Sequence, residues 1–470
     1  MDKAKGRVAL RVPAKASLWY IASSAVARSV SVVGTPIFTR LLDAEEYGIF
    51  PHYMAYFSVL SVIATLELTG AVILRGLQKF EHKRERVLSS AIGLTGAVWA
   101  AIFILYFTFS AIFGNFTGLS DGMMVTMLLH ILLNAIISIY TAQARFLYRY
   151  KTVALTNILT ALMTPLLSIL LITRFGTGGV GRIYGAVIST ALLALPFLFI
   201  IFKRSPAIYD GEIWRFLLRF NLPLLPHYIA SSVIIRAGEV ALSHTHGSVA
   251  LAKYSVSMSV GLSLTVITNG ILSALSPWML RRVGRGEFKE SRELLTGAVK
   301  LLCGVCLIIL AIVPETIRIV SPPEYHDCLF AVYPLALSVI PSFLTSAITA
   351  GEGYYERSGA TSIPTVIAAV VTVVLTVLLA PFIDYRLIAL FVPVAYTLTC
   401  VLNTLLFKRL SGELPIEPHK CVLFYLFTVI YAGGIFMLRE SLALRLLAVV
   451  PILFPLFSEG KRIYAKIKEA

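Results

Sequence analysis

Fourteen apolar stretches, most of them about 20 residues long, follow one another from Ser17 to Ser458 with only short polar connections between them. A helix of about 20 residues crosses the ~30 Å hydrocarbon core of a bilayer. With no water in that core, a spanning chain must satisfy its backbone groups internally. The recurrence predicts an all-α membrane protein with about 14 transmembrane helices. Composition agrees: 57% of the 470 residues are hydrophobic and only 14% are charged, too little polar surface for a water-soluble domain. The longest polar segments, the first 16 residues and those near 203–216, 281–295 and 408–420, are too short to fold alone.

A net charge of +16 raises the question of nucleic acid, and the placement of the charge answers it. With the N-terminus in the cytoplasm, about thirty of the 41 lysines and arginines fall on cytoplasmic connections. They include Lys3 to Lys15, Arg75 to Arg86, Arg281 to Lys300 and Lys461 to Lys468; Arg28 and Arg236 lie inside spans. The bias predicts an even number of spans in a cytoplasmic (plasma or inner) membrane, with both termini inside. The basic charge is then topological, and no nucleic-acid partner is expected. The first apolar run is too long for a signal-peptide core and lacks a small-residue cleavage site, so it reads as the first helix. Cys303 and Cys306 have the spacing of a redox or metal pair, but they sit within an apolar run without a second pair. Neither a metal nor any other cofactor is expected.

The chain carries an internal repeat. The stretch from Ile73 to Leu88 aligns without gaps on the stretch from Met279 to Leu294, with Leu74, Arg75, Glu81, Lys83, Arg86 and Leu88 matching Leu280, Arg281, Glu287, Lys289, Arg292 and Leu294. Each stretch follows the second helix of a six-helix block. Six is even, so the two blocks enter the membrane in the same direction and form a parallel repeat. The expected organisation is an N-lobe over 1–202 (helices 1–6), a cytoplasmic linker over 203–216, a C-lobe over 217–407 (helices 7–12) and two extra helices over 421–458.

Ionisable groups inside the membrane are costly and mark functional sites. Helix 1 carries Ser24, Arg28, Ser31 and Thr35, and helix 7 carries Ser232, Arg236, Glu239 and Ser243. Both series advance by four, three and four residues, which is one helical face. Arg28 and Arg236 occupy matching places in the first helix of each lobe, so pseudo-symmetry brings them toward a common cavity. Guanidinium suits phosphate through its bidentate fork and its fixed charge. The candidate substrate-binding residues are therefore Arg28, Arg236, Ser24, Ser31 and Ser232. Glu67 in helix 2 and Glu239 are the candidates for ion coupling, with protons or sodium as the ion. Arg236 and Glu239, three residues apart, equally suit a structural ion pair. The glycine-rich run Gly176 to Gly181 follows no strand and reads as a flexible turn rather than a phosphate cradle. No nucleotide-binding loop motif and no nucleophile–base–acid set occurs on a wide loop, so neither ATP hydrolysis nor catalysis is expected.

The run from Thr35 through Arg40-Leu41-Leu42, Glu45-Glu46, Tyr47 and Gly48 resembles the opening of the polysaccharide-transporter family. That family includes the O-antigen-type flippases and belongs to the superfamily that also holds MATE drug antiporters and lipid II flippases. The resemblance resumes at Asn221 to His227, at Gly247 and at Tyr254-Ser255-Val256. It departs at Gly238-Glu239, where the family often has aspartate and arginine, and at Lys253, where it often has glycine. The resemblance implies a twelve-helix core of two lobes with two optional helices. It also implies a lipid-linked glycan, an oligosaccharide on a polyprenyl pyrophosphate, as substrate, and other polysaccharide-assembly membrane proteins as partners.

Two functions of different class follow, both in the lipid bilayer. One is a flippase that moves a polyprenyl-pyrophosphate-linked oligosaccharide by alternating access for polysaccharide export. The other is a MATE-type ion-coupled antiporter of small organic cations, whose cargo would prefer carboxylates to paired arginines. A membrane-embedded glycan polymerase or ligase fits poorly, because the longest outer connection is only about a dozen residues.

Overall fold

The computed structural model describes residues 2–68, 71–352 and 358–469; these are helical almost throughout, with no strand among them. The chain divides into two compact units, Met1–Ser232 and Val233–Ala470. The first holds α1 (Asp2–Leu41), α2 (Ala44–Thr65), α3 (Ala71–Lys79), α4 (Arg84–Thr108), α5 (Ser110–Thr117), α6 (Asp121–Phe146), α7 (Tyr150–Phe175), α8 (Val180–Arg204) and α9 (Gly211–Asn221). The boundary falls within α10 (Leu225–Thr245). The second unit continues with α11 (Gly247–Gly261), α12 (Thr265–Gly284), α13 (Phe288–Val320), α14 (Leu329–Leu337), α15 (Val339–Glu352) and α16 (Ser358–Leu379). It ends with α17 (Tyr385–Ile388), α18 (Phe391–Ser411), α19 (Pro418–Met437) and α20 (Leu442–Glu469).

Among the described residues, 12 helical segments are long and apolar enough to cross a membrane. Fourteen are expected from the sequence; the other two, 17–39 and 217–242, fall on α1, part of which lies outside the described residues, and on α9 and α10. Each carries polar side chains where a lipid-facing helix would carry leucine or valine, Arg28 with its serines on α1 and Arg236 with Glu239 on α10. Such charges lower the apolarity of a span by several kcal/mol.

The corner between α1 and α2 is built by the motif that carries the family resemblance. Asp43 caps α2 by accepting a hydrogen bond from Glu46 N at 2.8 Å, and Glu45 and Glu46 complement the positive end of the helix dipole. The Arg182 guanidinium, in the first turn of α8, lies 4.4–4.5 Å from the ring centroids of Phe38, Tyr47 and Phe50, a cation–π cage that pins the corner. The run Gly176 to Gly181 is the seat for this corner and not a flexible turn. Gly178 has φ +53°, and a Cβ at Gly179 would land on the Glu46 carbonyl oxygen. Only a residue without a side chain permits that approach. Gly179→Val should therefore cost about 1–3 kcal/mol by overpacking, read as a lower melting temperature of the purified protein; an unchanged melt would remove the seat.

In the second unit α13 packs against both α19 and α20. Arg445 is 0% exposed and joins α20 to α13: its Nη1 lies 2.7 Å from Glu315 Oε2, its Nη2 bonds the other Glu315 oxygen, and it also reaches the Ala311 carbonyl. Arg445 thus joins Arg28 and Arg236 as an arginine inside a helical span. A bidentate carboxylate makes that burial tolerable.

Candidate functional site

In the first unit the candidate residues lie on α1, at the end of α2 and at the start of α10. Arg28 is half-buried on α1. Its Nε is buried without a hydrogen-bond partner, and no carboxylate among the described residues pairs with it. Ser24 is exposed, while its neighbour Ser23 is buried, donating to Tyr20 O at 3.1 Å and accepting from the Asn157 amide of α7 at 3.5 Å. The side chain of Ser31 lies outside the described residues. Ser232 donates to the Ser58 carbonyl of α2 at 3.0 Å.

Glu67 does not sit inside a helix as its apolar surroundings suggest. α2 stops at Thr65, and Leu66 and Glu67 both adopt left-handed backbone, φ +50° and +47°. The Glu67 N–H is capped by Thr65 Oγ1 at 3.2 Å, and the Asn221 amide donates to the Leu66 carbonyl. Two successive non-glycine residues at positive φ are uncommon and are held only where the surroundings impose them.

In the second unit Arg236 and Glu239 form a close ion pair, 2.6 Å from Nη1 to Oε2, with Glu239 only 2% exposed. Tyr254 presses its hydroxyl against Gly238, where a Cβ would meet it at 2.7 Å. Glycine at 238 is what lets the tyrosine of the second resemblance motif approach α10.

The sequence pattern does not single out Glu352. It lies at the end of α15, 1% exposed, with both carboxylate oxygens buried and without a hydrogen-bond partner. The apolar run preceding it ends at Ala350, so in the sequence it reads as the start of a loop. The adjacent Gly351 packs on Phe407 of α18 and Met279 of α12. One turn from Phe407, the buried Asn403 keeps an unpartnered Oδ1. Among the described residues nearby in the chain, Arg282 pairs with Glu287 and Glu290, and Arg292 with Glu413. Lys408 of α18 lines an apolar groove with Pro418 and Tyr425. Among the described residues, no group of three or more histidine, cysteine, aspartate or glutamate residues could hold a metal ion.

This arrangement can engage an anion through a guanidinium at Arg28 and can bind or release a proton or cation at a buried carboxylate. A family model described as polysaccharide biosynthesis protein matches residues 14–282, and a model described as MatE matches residues 223–382. No curated protein matches the chain by sequence. The fold is like that of the lipid II flippase MurJ in an inward closed conformation, with TM-score 0.70 and 13% identity over 95% of this chain and 99% of that one. It is also like an inward-facing multidrug resistance MATE family transporter of the MOP superfamily, with TM-score 0.64 and 14% identity over 82% and 95%. A third likeness is to a MOP superfamily transporter from Pyrococcus furiosus, with TM-score 0.56 and 15% identity over 90% and 96%.

Proposed function

Since the chain belongs to the polysaccharide biosynthesis protein family, we propose that it flips a polyprenyl-pyrophosphate-linked oligosaccharide across the cytoplasmic membrane, with both termini in the cytoplasm. The observation that carries this reading is Arg28. A guanidinium inside a spanning helix, with a buried Nε and no carboxylate beside it among the described residues, is an anion site held ready, because leaving such a group unpaired is costly. The anion-binding side chains are Arg28 in the first unit and Arg236 in the second. Phosphate accepts the guanidinium fork in two charge-assisted bonds. The test is reconstitution in liposomes with a fluorescent polyprenyl-pyrophosphate oligosaccharide. Protein-dependent movement between leaflets supports the reading, and equal rates with and without protein remove it.

A second reading, ion-coupled antiport of small organic cations, is favoured by the MatE match over residues 223–382. Export of an organic cation from the same liposomes, with no movement of the lipid-linked sugar, would put it first.

Coupling to an ion gradient rests on the buried carboxylates. Glu239 is already neutralised by Arg236, and Glu67 lies in a turn at the end of α2. Glu352 has no described partner, and an isolated charge there costs several kcal/mol. It is the carboxylate best placed to take up a proton or cation in one state and release it in another. In liposomes with an imposed proton or sodium gradient, the wild type should be accelerated and Glu352→Gln should be indifferent to the gradient. Equal acceleration of both would exclude Glu352.

A further inference from the structure

The second unit contains a cavity of about 560 Å³ remote from Arg236 in the sequence and built from three element ends: the 3₁₀ turn Pro323–Cys328, α17 and the end of α19. On the orientation set by the lysine and arginine distribution, these ends face outward. Its size falls within the range of small-molecule sites, roughly 300–1,000 Å³. Its floor is an ionic network. Asp327 lies 3.1 Å from Lys253 Nζ, accepts from the Tyr385 hydroxyl at 2.9 Å and lies 3.4 Å from Arg386 Nη2. Arg386 in turn lies 3.4 Å from Asp384 Oδ1. Lys253 is one of the places at which the sequence departs from the family pattern, and this network is where its ammonium goes. The wall is aromatic: Phe330 and Phe436 meet edge to face at 5.8 Å, and the Arg439 guanidinium lies 5.1 Å over the Phe436 ring.

The charges balance. Lys253 and Arg386 stand against Asp327 and Asp384, and Arg439 lies 3.4 Å from Glu440. With no net charge, the cavity is poorly suited to a free anion or an organic cation. What it offers is donors and acceptors side by side at fixed positions, next to an apolar aromatic face. A hydroxyl both donates and accepts, so a guanidinium and a carboxylate held together can serve one hydroxyl or two adjacent ones. The C–H face of a sugar ring can lie on phenylalanine. Because Asp327 is held by three partners, little side-chain freedom remains to be lost on binding.

We propose that this pocket is an outward-facing saccharide site, which takes neutral hydroxyl-rich sugar units by hydrogen bonds to Asp384, Arg386 and Arg439 and by packing on Phe436. The class of ligand rests on the flippase reading; the site rests on the pocket alone. In a flippase it would hold the glycan after the lipid head has crossed.

The test uses the full-length protein in lipid nanodiscs with short neutral oligosaccharides that carry no lipid. Binding is followed by saturation-transfer NMR, and flipping is measured separately in liposomes. Saturable binding is expected, weakened about tenfold or more by Phe436→Ala and by Asp384→Asn, with inorganic phosphate and tetraethylammonium failing to displace the sugar. Arg439→Ala, at a half-exposed position, gives the same answer if Phe436→Ala does not fold. Sugar binding without flipping would keep the pocket and remove the flippase reading. Flipping with no sugar binding, binding unchanged in folded variants, or displacement by phosphate or tetraethylammonium would each overturn the saccharide site.

Discussion

Arg28→Ala is expected to lower transport of a pyrophosphate-linked glycan about a hundredfold while the protein stays in the membrane at normal levels. One guanidinium fork on phosphate supplies about 3 kcal/mol of charge-assisted hydrogen bonding, which corresponds to that factor. Arg28 has no described partner to strand, so its loss leaves no unpaired carboxylate behind. Lysine should rescue only part of the rate, since it keeps the charge and loses the planar fork. The counterpart on α10 needs more care. Arg236→Ala would leave Glu239, only 2% exposed, as an uncompensated charge, so its effect on transport has to be read in an Arg236→Ala, Glu239→Gln double variant. Initial rates in liposomes at matched protein density decide the matter. If Arg28→Ala and the double variant both flip the glycan at the wild-type rate, the anionic-substrate mechanism fails and the cation antiporter becomes the leading reading.

The second large effect is structural. Arg445→Ala should destabilise the attachment of α20 to α13 by about 3 kcal/mol, the low end of what removing one partner of a buried pair costs. The low end applies because Glu315 keeps 26% of its side-chain surface. The expected result is a clear drop in melting temperature in detergent and faster proteolysis in the segment between Ser411 and Pro418. A paired Arg445→Met, Glu315→Leu replacement should recover most of the loss, since apolar residues of similar volume are tolerated where the ion pair was. An Arg445→Ala protein that melts like the wild type would show that α20 is held by its apolar contacts alone.

Periodicity and apolar length made the helices legible, because a membrane leaves so few ways to satisfy a backbone. The charged residues of α1 and α10 stand out against apolar neighbours in the sequence, but the sequence left open whether Arg236 and Glu239 serve each other or a ligand, and the structure pairs them. Other features escaped where the signal lay in packing. Glu352 stands just past an apolar run, and only the end of α15 shows it to be enclosed. Glu67 lies inside an apolar run, and nothing in that run announces the left-handed turn that ends α2 at Thr65. The glycines at 178 and 179 look like slack until Glu46 is seen against them. Arg445 falls in the first turn of the fourteenth apolar run, and its carboxylate partner, Glu315, is far away in sequence.

The arginine inside α1 also bears on how the protein is made. A span that carries an arginine partitions weakly into lipid on its own, and α1 precedes in the chain the helices it packs against. The helix it packs along, α7, is synthesised only after α2, α4 and α6. Until then Ser23 lacks the Asn157 amide that it meets in the finished fold. Integration of the first unit is therefore expected to be collective, with α1 secured only once α7 is in place.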